Sequence, residues 1–578
     1  MKKTLLLLEV CGIQDYVFSS NNLAQNLGAS ALVEQSCGPW LESVLKELKL
    51  STNFSWDPSN GAQYEKSSNP NEWDAEVINA GSGNAAVLIG THELASQVVT
   101  RITKKAINEA RGLRLVAVHQ DFDWDRDILS FVHHQARTAL AKQKESANWS
   151  LPQPGLSVTA NCAYTGQPAV GWQVDPDLVG KDTSERILKR NETPKRISRE
   201  VADKIRAEAA GRQRLHDLLP FVKENGMEFV YDFDDFGVKG QSSYMAVIHT
   251  DGNHMGDRFE AIRKQFQTAE ENPEYVNQIR CLSVSIQLKA RVTLRKTGEM
   301  LFASLDKNKF GREVLVSRQQ DGIPILPFRP LIFGGDDATF VCEGRLGLSL
   351  ASFYIRELGF GKVSDKEITT RETVILGDRA KLIRDGLLSD GQPLYARAGV
   401  AIVKNHYPFS RAYDLSVQLC ASARKAIGGL VTLNEKDACV LDWHIAHTGI
   451  ILPLDDLRTR EYMDANKIHS LLMRPIRIAP VVPAERVWRT WDSFRSLAYT
   501  FKFQEEWADR KNKLYDLRKA LRQNSKAVEL FCKKYDISEL PKIQARPDMT
   551  HQGWQGGECG YYDAIEVLDF FVQLERME

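Results

Sequence analysis

The pattern of apolar and polar positions divides much of the chain into two blocks that share one order of elements. In the first block it predicts strands at residues 3–11, 76–79, 85–89 and 113–118, and helices at 23–48, 93–111 and 125–145. The polar stretch 51–71 predicts a loop. Gly81-Ser82-Gly83-Asn84 predicts a hairpin, because Gly and Asn tolerate positive φ. The order strand, helix, hairpin, helix, strand is that of a ferredoxin-like fold.

The second block repeats this order. It predicts strands at residues 244–250, 329–333, 338–342 and 394–403, and helices at 257–267, 275–305, 346–358 and 409–427. When the blocks are superposed, Ala80–Gly83 falls on Gly334–Asp337 and Cys11-Gly12 falls on Asp251-Gly252. The first block then keeps hairpin glycines and lacks the acids. Glu9 lies on the same strand face as Cys11, but we do not expect it to form a metal site alone.

The remaining segments are predicted to connect and extend these blocks. Residues 149–194 are rich in Pro, Gly and polar residues, a helix is predicted at 198–219, and the chain is mostly helical in pattern from residue 454, strongly charged at 503–534. We therefore predict an α+β protein with two ferredoxin-like domains, a helical linker and a C-terminal helical domain. The predicted boundaries are 1–148, 149–240, 241–450 and 451–578.

Composition narrows the class of protein. The 578 residues include 75 Lys plus Arg and 75 Asp plus Glu, so the chain is not a bulk polyanion binder, although local basic patches remain possible. Nine cysteines lie scattered without a C-x-x-C pair, which suits a reducing cytoplasm. The apolar run after Met1 is too short for a signal peptide and predicts a buried strand. No stretch approaches the ~20 apolar residues of a membrane span, so we expect no membrane partner.

Three carboxylates are placed for phosphoryl transfer with two metal ions. Asp251 ends an apolar strand, and Asp336 and Asp337 lie in the hairpin predicted beside it. Neighbouring strands lie about 5 Å apart, so the acids can share ions that clamp the attacking and leaving oxygens. A lone Gly-Gly-Asp-Asp can be only a solvated turn. The flanking apolar strands and Asp251 favour a catalytic site that binds two Mg²⁺ or Mn²⁺ ions through Asp251, Asp336 and Asp337.

Glycines around these acids suit a bound nucleotide. Gly334 and Gly335 have no Cβ, which permits a tight turn and close approach of a phosphate or base. The loop Gly252-Asn253-His254-Met255-Gly256 opens onto a predicted helix, whose first N–H groups attract triphosphate. We expect His254 to contact a base or ribose rather than a metal ion.

Other polar residues have plain structural alternatives. Lys404 follows a strand and could contact phosphates or simply be solvated. Lys425 lies late in a helix, where it could reach a triphosphate or favour the helix C-terminus. His444 and His447 lie near Asp442, but we interpret them as structural because no further ligand is in view. The tryptophans after residue 487 are interpreted as core residues.

These motifs resemble the large subunit of type III CRISPR effector complexes, whose active palm is shared more distantly with GGDEF diguanylate cyclases and class III nucleotidyl cyclases. The resemblance covers roughly residues 1–450. The residues that carry it are Asp251–Gly256 with Gly334–Asp337, Gly12–Phe18 with Leu27–Ser30, and Ala396–Lys404 with Tyr407–Phe409.

The resemblance implies that an inactive first palm and an active second palm form a pocket for two ATP molecules, with cyclic oligoadenylate as the product in antiviral defence. It implies that Asp251, Asp336 and Asp337 bind metal and that Gly334 and Gly335 line the nucleotide. Two departures change the expectation. The first palm begins at Thr4 with no HD nuclease domain before it, and Cys162 alone remains of a Cys-rich zinc element, so we expect no structural zinc.

The expected activity is therefore metal-dependent polymerisation or cyclisation of nucleoside triphosphates, with ATP as substrate. One alternative is a non-catalytic scaffold that binds nucleotide or guide RNA within a CRISPR-type complex. Another is a mono- or dinucleotide cyclase on the same fold. A stand-alone homo-oligomer is an alternative to membership of a complex.

Overall fold

The computed structural model describes residues 1–66, 72–146, 158–189, 193–236, 243–305, 318–320, 322–431, 438–447, 452–478, 484–504, 506–508 and 510–574. Helices and several sheets are mixed along the chain, so the predicted α+β class is confirmed. None of the helices in these ranges combines the length and the apolar character needed to cross a membrane.

The first unit has a four-stranded sheet in the order β4-β5-β1-β6, with antiparallel neighbours. Its elements are β1 (Lys2–Cys11), α1 (Ile13–Val17), α2 (Leu23–Cys37), α3 (Pro39–Glu47), β2 (Phe54–Asp57), β3 (Gly61–Tyr64), β4 (Ala75–Gly81), β5 (Asn84–Ile89), α4 (His92–Glu109), β6 (Arg114–Asp123) and α5 (Leu129–Ser146). Residues 5–8 of β1 are all leucine because both faces of this central strand are buried.

Three local predictions in this unit need correction. The helix predicted at 23–48 is two helices, because Pro39 starts α3 and cannot continue α2. The loop predicted at 51–71 contains the hairpin β2–β3 as far as Tyr64, and residues 67–71 lie outside the described ranges. The strand predicted to end at Val118 continues to Asp123, so α5 begins later than predicted.

The linker packs against the first unit. It contains β7 (Gly171–Trp172), α6 (Pro176–Val179), α7 (Lys181–Lys189), β8 (Arg196–Ile197), α8 (Arg199–Leu218), α9 (Pro220–Glu224) and β9 (Glu228–Phe229). The helix predicted at 198–219 is confirmed as α8. Helices α2 and α8 approach closely because Gly28 and Gly211 have no Cβ. A Cβ atom added to Gly211 would lie only 2.6 Å from Leu27 Cγ. Residues 149–157 and 190–192 of the predicted connector lie outside the described ranges.

The second unit repeats the strand order of the first. Its elements are β10 (Tyr244–Gly252), α10 (Met255–Gln265), α11 (Asn272–Ser304), β11 (Arg318–Gln320), β12 (Ile323–Leu326), β13 (Phe328–Gly334), β14 (Asp337–Glu343), α12 (Gly347–Phe360), α13 (Thr370–Leu376), α14 (Ala380–Arg384), β15 (Ala396–Lys404), α15 (Phe409–Val431) and β16 (Cys439–Ile445). The sheet order is β13-β14-β10-β15-β16 and then β17 (Ile476–Ile478). Strand β16, parallel to β15, was not predicted.

The register corrects the superposition of the two blocks. Gly81 pairs with Asn84 as Gly334 pairs with Asp337, so the equivalent hairpins are 81–84 and 334–337, one residue from the predicted match. Glu9 pairs with Asn84, and the ladder of β10 and β14 continues from Thr250↔Ala338 toward Asp251 and Asp337.

Glu9, and not Cys11, is therefore the counterpart of Asp251. Three residues after Glu9, Gly12 has a left-handed conformation with φ 62° and precedes helix α1. Three residues after Asp251, His254 has the same conformation with φ 56° and precedes α10. The first unit consequently keeps one of the three acids, where we predicted none. A shift of two residues preserves the strand face, so the hydrophobic pattern could not reveal it.

The C-terminal region is mostly helical, as predicted, although β17 within it joins the sheet of the second unit. Its other elements are α16 (Leu454–Glu461), α17 (Trp491–Phe503), α18 (Lys511–Gln523), α19 (Ser525–Lys534), α20 (Met549–Gln552), β18 (Trp554–Gln555), β19 (Glu558–Cys559) and α21 (Tyr562–Glu566). All four tryptophans in this region are buried, which confirms that they are core residues.

Candidate active site

Asp251 lies at the end of β10, opposite Arg397 of β15. The Arg397 guanidinium donates to Asp251 Oδ2, and it also donates to the Gly252 carbonyl at 3.1 Å and to Asn253 Oδ1 at 3.0 Å. Burial raises the pKa of the Asp251 carboxyl, while Arg397 and Arg424 oppose that rise. One acid of the site is therefore already neutralised by a nearly buried arginine.

The Gly-Gly-Asp-Asp hairpin packs directly against the end of β10. Gly335 has φ 79°, a left-handed conformation that favours glycine. A Cβ on Gly252 would lie 2.8 Å from the Cβ of Asp336 and 3.0 Å from its Oδ2. Glycine at 252 therefore lets the Asp336 carboxyl lie beside the strand that carries Asp251.

The surroundings of the hairpin acids disfavour their negative charge. Burial first, and then repulsion from Asp251, raises the pKa of Asp336 to about 6. Burial with repulsion from Asp251 and Asp336 raises the pKa of Asp337 to about 8. Although 41% of the Asp337 side chain is exposed, its Oδ1 atom is buried and has no hydrogen-bond partner. The three carboxylates thus affect one another electrostatically across the end of the sheet.

The acids surround the end of the sheet rather than lying on one face. Asp251 and Asp337 share the face of His249, since alternate residues of a strand point to the same side. Asp336 lies on the turn beside Gly252, which belongs to the opposite face. His249 Nδ1 lies 3.2 Å from Thr339 Oγ1 and 3.5 Å from Asp337 Oδ1, and burial lowers the pKa of His249 to about 4.

These residues fit a hard divalent cation. The donors are carboxylate oxygens, which Mg²⁺ and Mn²⁺ prefer, and the orphaned Oδ1 of Asp337 with the raised pKa values indicates missing positive charge. Within the described part of the chain no three Asp, Glu, His or Cys side chains converge closely enough to hold an ion by themselves. An ion at Asp251, Asp336 and Asp337 would complete its shell with substrate oxygens and water.

Several predicted nucleotide contacts meet at one cavity. A cavity of about 330 Å³ between the two units is lined by Gly256, Gly334, Gly335 and Asp336. A second cavity of about 450 Å³, lined by Asp337, lies on the other side of the hairpin.

The rest of the predicted loop is placed differently. Asn253 is buried, and its side-chain amide donates to the Ala438 carbonyl at 3.0 Å, so its amide supports the fold. His254 is half exposed, with its Nδ1 3.2 Å from Asp257 Oδ2. Its contact with a base or ribose stays a prediction.

The two predicted lysines lie away from the carboxylates. Lys404 lies opposite Tyr244, seven residues along β15 from Arg397, which is about 23 Å of strand. Lys425 is 79% exposed, and its Nζ lies 3.8 Å from Asp455 Oδ2. Arg424, the residue before it, is the second cation, after Arg397, that lowers the pKa of Asp251.

Arg397, Arg424 and Lys144 were not predicted as site residues. Lys144 of α5 forms an ion pair with Glu9, which lines both cavities. Helical spacing from the buried Cys420 could have pointed to Arg424, four residues later. The partnership of Arg397 with Asp251 depends on strand register, which no local pattern contains.

Asp442 and His444 make structural contacts, as interpreted from the sequence, whereas the interpretation of His447 stays a prediction. Asp442 Oδ2 accepts from Arg458 at 2.5 Å, and His444 is buried with its Nδ1 3.3 Å from Tyr462 Oη.

No protein-family model matches the chain, and no curated protein matches it. Among solved structures, Csm1 of T. onnurineus is 11% identical over 100% of this chain and 70% of its own, with a TM-score of 0.48. A type III-B Cmr-beta bound to cognate target RNA is 10% identical over 98% of this chain and 83% of its own, with a TM-score of 0.48. A Csm1-Csm4 cassette in complex with cA4 is 11% identical over 99% of this chain and 70% of its own, with a TM-score of 0.47.

Proposed function

We propose that the protein is a metal-dependent nucleotidyltransferase that joins nucleoside triphosphates, with ATP as substrate and cyclic or linear oligoadenylate as product. The observation that carries the proposal is the group of three mutually repelling carboxylates, Asp251, Asp336 and Asp337, in which Asp337 Oδ1 is buried without a hydrogen-bond partner. The choice of ATP and of a cyclic product rests on the sequence resemblance.

Bound divalent ions would neutralise the charge of the transferred phosphoryl group. The chain itself supplies orientation: Gly334 and Gly335 leave room for a nucleotide, and the start of α10 presents N–H groups near Gly256. Arg397 holds Asp251 and the Gly252 carbonyl in place. The site therefore works mainly by positioning and electrostatic stabilisation, as phosphoryl transfer requires.

Incubation of the protein with ATP and Mg²⁺ or Mn²⁺, followed by mass spectrometry, tests the proposal. We expect oligoadenylate from the wild type and a loss of at least about 100-fold in the Asp336→Ala/Asp337→Ala variant. Asp492→Ala is the control, since that aspartate is 76% exposed and lies on α17. Equal products from the wild type and the double variant contradict the proposal, and product mass separates an oligonucleotide from a mono- or dinucleotide cyclase product.

A non-catalytic nucleotide-binding subunit is the second candidate, favoured by the engagement of Asp251 by Arg397. Equilibrium dialysis with ATP separates the two: the scaffold binds nucleotide without forming product under any metal condition.

Membership of a type III CRISPR complex with guide RNA is a further part of the proposal and rests on the sequence resemblance. Native mass spectrometry of the protein purified from its host distinguishes a complex containing RNA and other subunits from a homo-oligomer.

A further inference from the structure

The C-terminal helices α18 and α19 concentrate positive charge in a chain that has none overall. Residues 510–534 contain nine Lys or Arg and two Asp or Glu, a local excess of seven positive charges, whereas the whole chain has 75 of each kind. We propose that α18 and α19 form a surface that binds single-stranded nucleic acid. The proposal is independent of the carboxylate site.

One row of side chains follows the exposed face of α18. Lys511, Tyr515, Lys519 and Arg522 are spaced by three or four residues, so they occupy one arc of the helix. All four are exposed, Lys511 by 85% and Tyr515 by 62%. The row extends about 17 Å along the helix axis. Lys511 and Lys519 lie one helical turn on either side of Tyr515.

A similar row follows α19. Lys526, Leu530, Lys533 and Lys534 share one arc, and Leu530 is 60% exposed. The two rows adjoin, because Lys534 Nζ lies 2.6 Å from Oδ2 of Asp516, the residue after Tyr515. The helices therefore present two adjoining basic rows, each with one exposed apolar or aromatic side chain, with the paired Asp516 between them and the exposed Glu529 beside the α19 row.

The inward cations of α18 are used in packing, which distinguishes them from Lys511 and Lys519 of the row; Arg522 at the end of the row also donates to the Glu461 carbonyl at 2.7 Å. Lys513 is buried with its Nζ 4.3 Å from the Trp507 ring centroid, and Arg518 donates to Glu566 Oε1 at 3.0 Å. In the outer row, Lys511 pairs with Asp569 at 3.3 Å, but both are well exposed. Such exposed pairs contribute little to stability, so a phosphate can displace the aspartate.

Tyr515 selects nucleic acid over a purely acidic partner. Lys519 Nζ lies 5.5 Å from the Tyr515 ring centroid, so a base stacked on the ring would have its phosphate near a cation. Carboxylates of an acidic peptide would bind the cations but would not stack on the exposed ring. Bases must be unstacked to reach the ring, which favours a single strand over a duplex.

Fluorescence anisotropy with labelled 20-nucleotide RNA and DNA single strands tests the surface, using the full chain without ATP or divalent metal. The row variant replaces Lys511, Lys519, Lys526 and Lys533 with Gln. We expect at least tenfold weaker binding and a log–log salt slope smaller by about 2.8, because each contact contributes about 0.7. Tyr515→Ser should weaken binding about fivefold or more and leave the salt slope unchanged.

The matched control replaces four exposed cations elsewhere, Lys46, Arg126, Lys264 and Arg411, with Gln. Its affinity should equal that of the wild type, and thermal melting should show that all variants fold. Absence of binding to both strands, or equal loss in the control and row variants, overturns the proposal. Competition by polyglutamate as strong as that by the unlabelled strand, or equal affinity for duplex RNA, also overturns it.

Discussion

At the scale of single residues, the hairpin acids decide how the site responds to pH. A raised carboxyl pKa means that the folded state binds the proton more tightly than the unfolded state, so stability falls as pH rises from about 4 to about 8. Asp336 and Asp337 therefore reduce stability at neutral pH while they create a site for cations. This is the trade-off expected of acids held together for function.

Asp337→Asn should remove part of that penalty. In EDTA at pH 8.5 we expect the variant to melt about 1–2 °C above the wild type, with no difference at pH 4. Thermal denaturation at the two pH values measures this, with Asp492→Asn as the control. A variant that melts below the wild type at pH 8.5 would contradict the assignment of unbalanced charge.

The same acids should make stability depend on metal. We expect 10 mM Mg²⁺ to raise the melting temperature of the wild type, because a ligand that binds only the folded state stabilises it by mass action. Asp336→Asn/Asp337→Asn should not respond. An equal rise in both proteins would place the ion elsewhere.

Arg397 is the cation that competes with metal at Asp251. Replacing it with Met removes one positive charge beside the site, so we expect Mg²⁺ affinity to rise about tenfold in titration calorimetry. Arg397→Lys keeps the charge and should change the affinity little. Weaker metal binding by Arg397→Met would show that its hold on Gly252 and Asn253 matters more than its charge.

At the scale of elements, the site depends on how closely the hairpin β13–β14 approaches β10. Gly252→Ala should push Asp336 away, because the new Cβ would lie 2.8 Å from the Asp336 Cβ. We expect a stability loss of about 1–3 kcal/mol and a larger fractional loss of nucleotidyl transfer. Urea denaturation and the ATP assay measure the two effects. Gly90→Ala is the control, since nothing lies within 4 Å of a Cβ there.

Local sequence patterns predict the presence of a strand or helix better than they predict the residues at which it begins and ends. The four strands that the two units share were predicted in each, because apolar runs and turn residues are local signals. The break at Pro39 could have been predicted from its chemistry, whereas β16 and β17 join the second sheet through pairings that no local pattern specifies.

At the scale of the whole molecule, the two units share a buried interface that brings their hairpins together. Ser82 of the first hairpin lies against Gly334 of the second, since a Cβ atom added to Gly334 would lie only 3.2 Å from Ser82 Oγ. Arg280 of α11 donates to Glu76 Oε1 of β4 at 2.9 Å, and both side chains are buried. This ion pair ties the first sheet to the long helix of the second unit.

Breaking the pair should destabilise the interface. Arg280→Met leaves Glu76 buried without its partner and should cost about 3–5 kcal/mol, whereas Arg280→Met/Glu76→Met should recover most of that loss. Urea denaturation of the single and double variants measures the coupling. Additive losses would show that the two side chains act independently.

The sequence by itself determined the repeated strand order, the apolar core and the three acids at one strand end and one hairpin, because periodicity and turn chemistry are properties of short segments. Only the tertiary structure decided that Glu9 is the counterpart of Asp251, that Arg397 engages Asp251, and that Lys404 lies at the far end of its strand. Those facts depend on register and on distances between segments far apart in the chain. A shift of two residues leaves the hydrophobic pattern unchanged and moves a charge by about 7 Å.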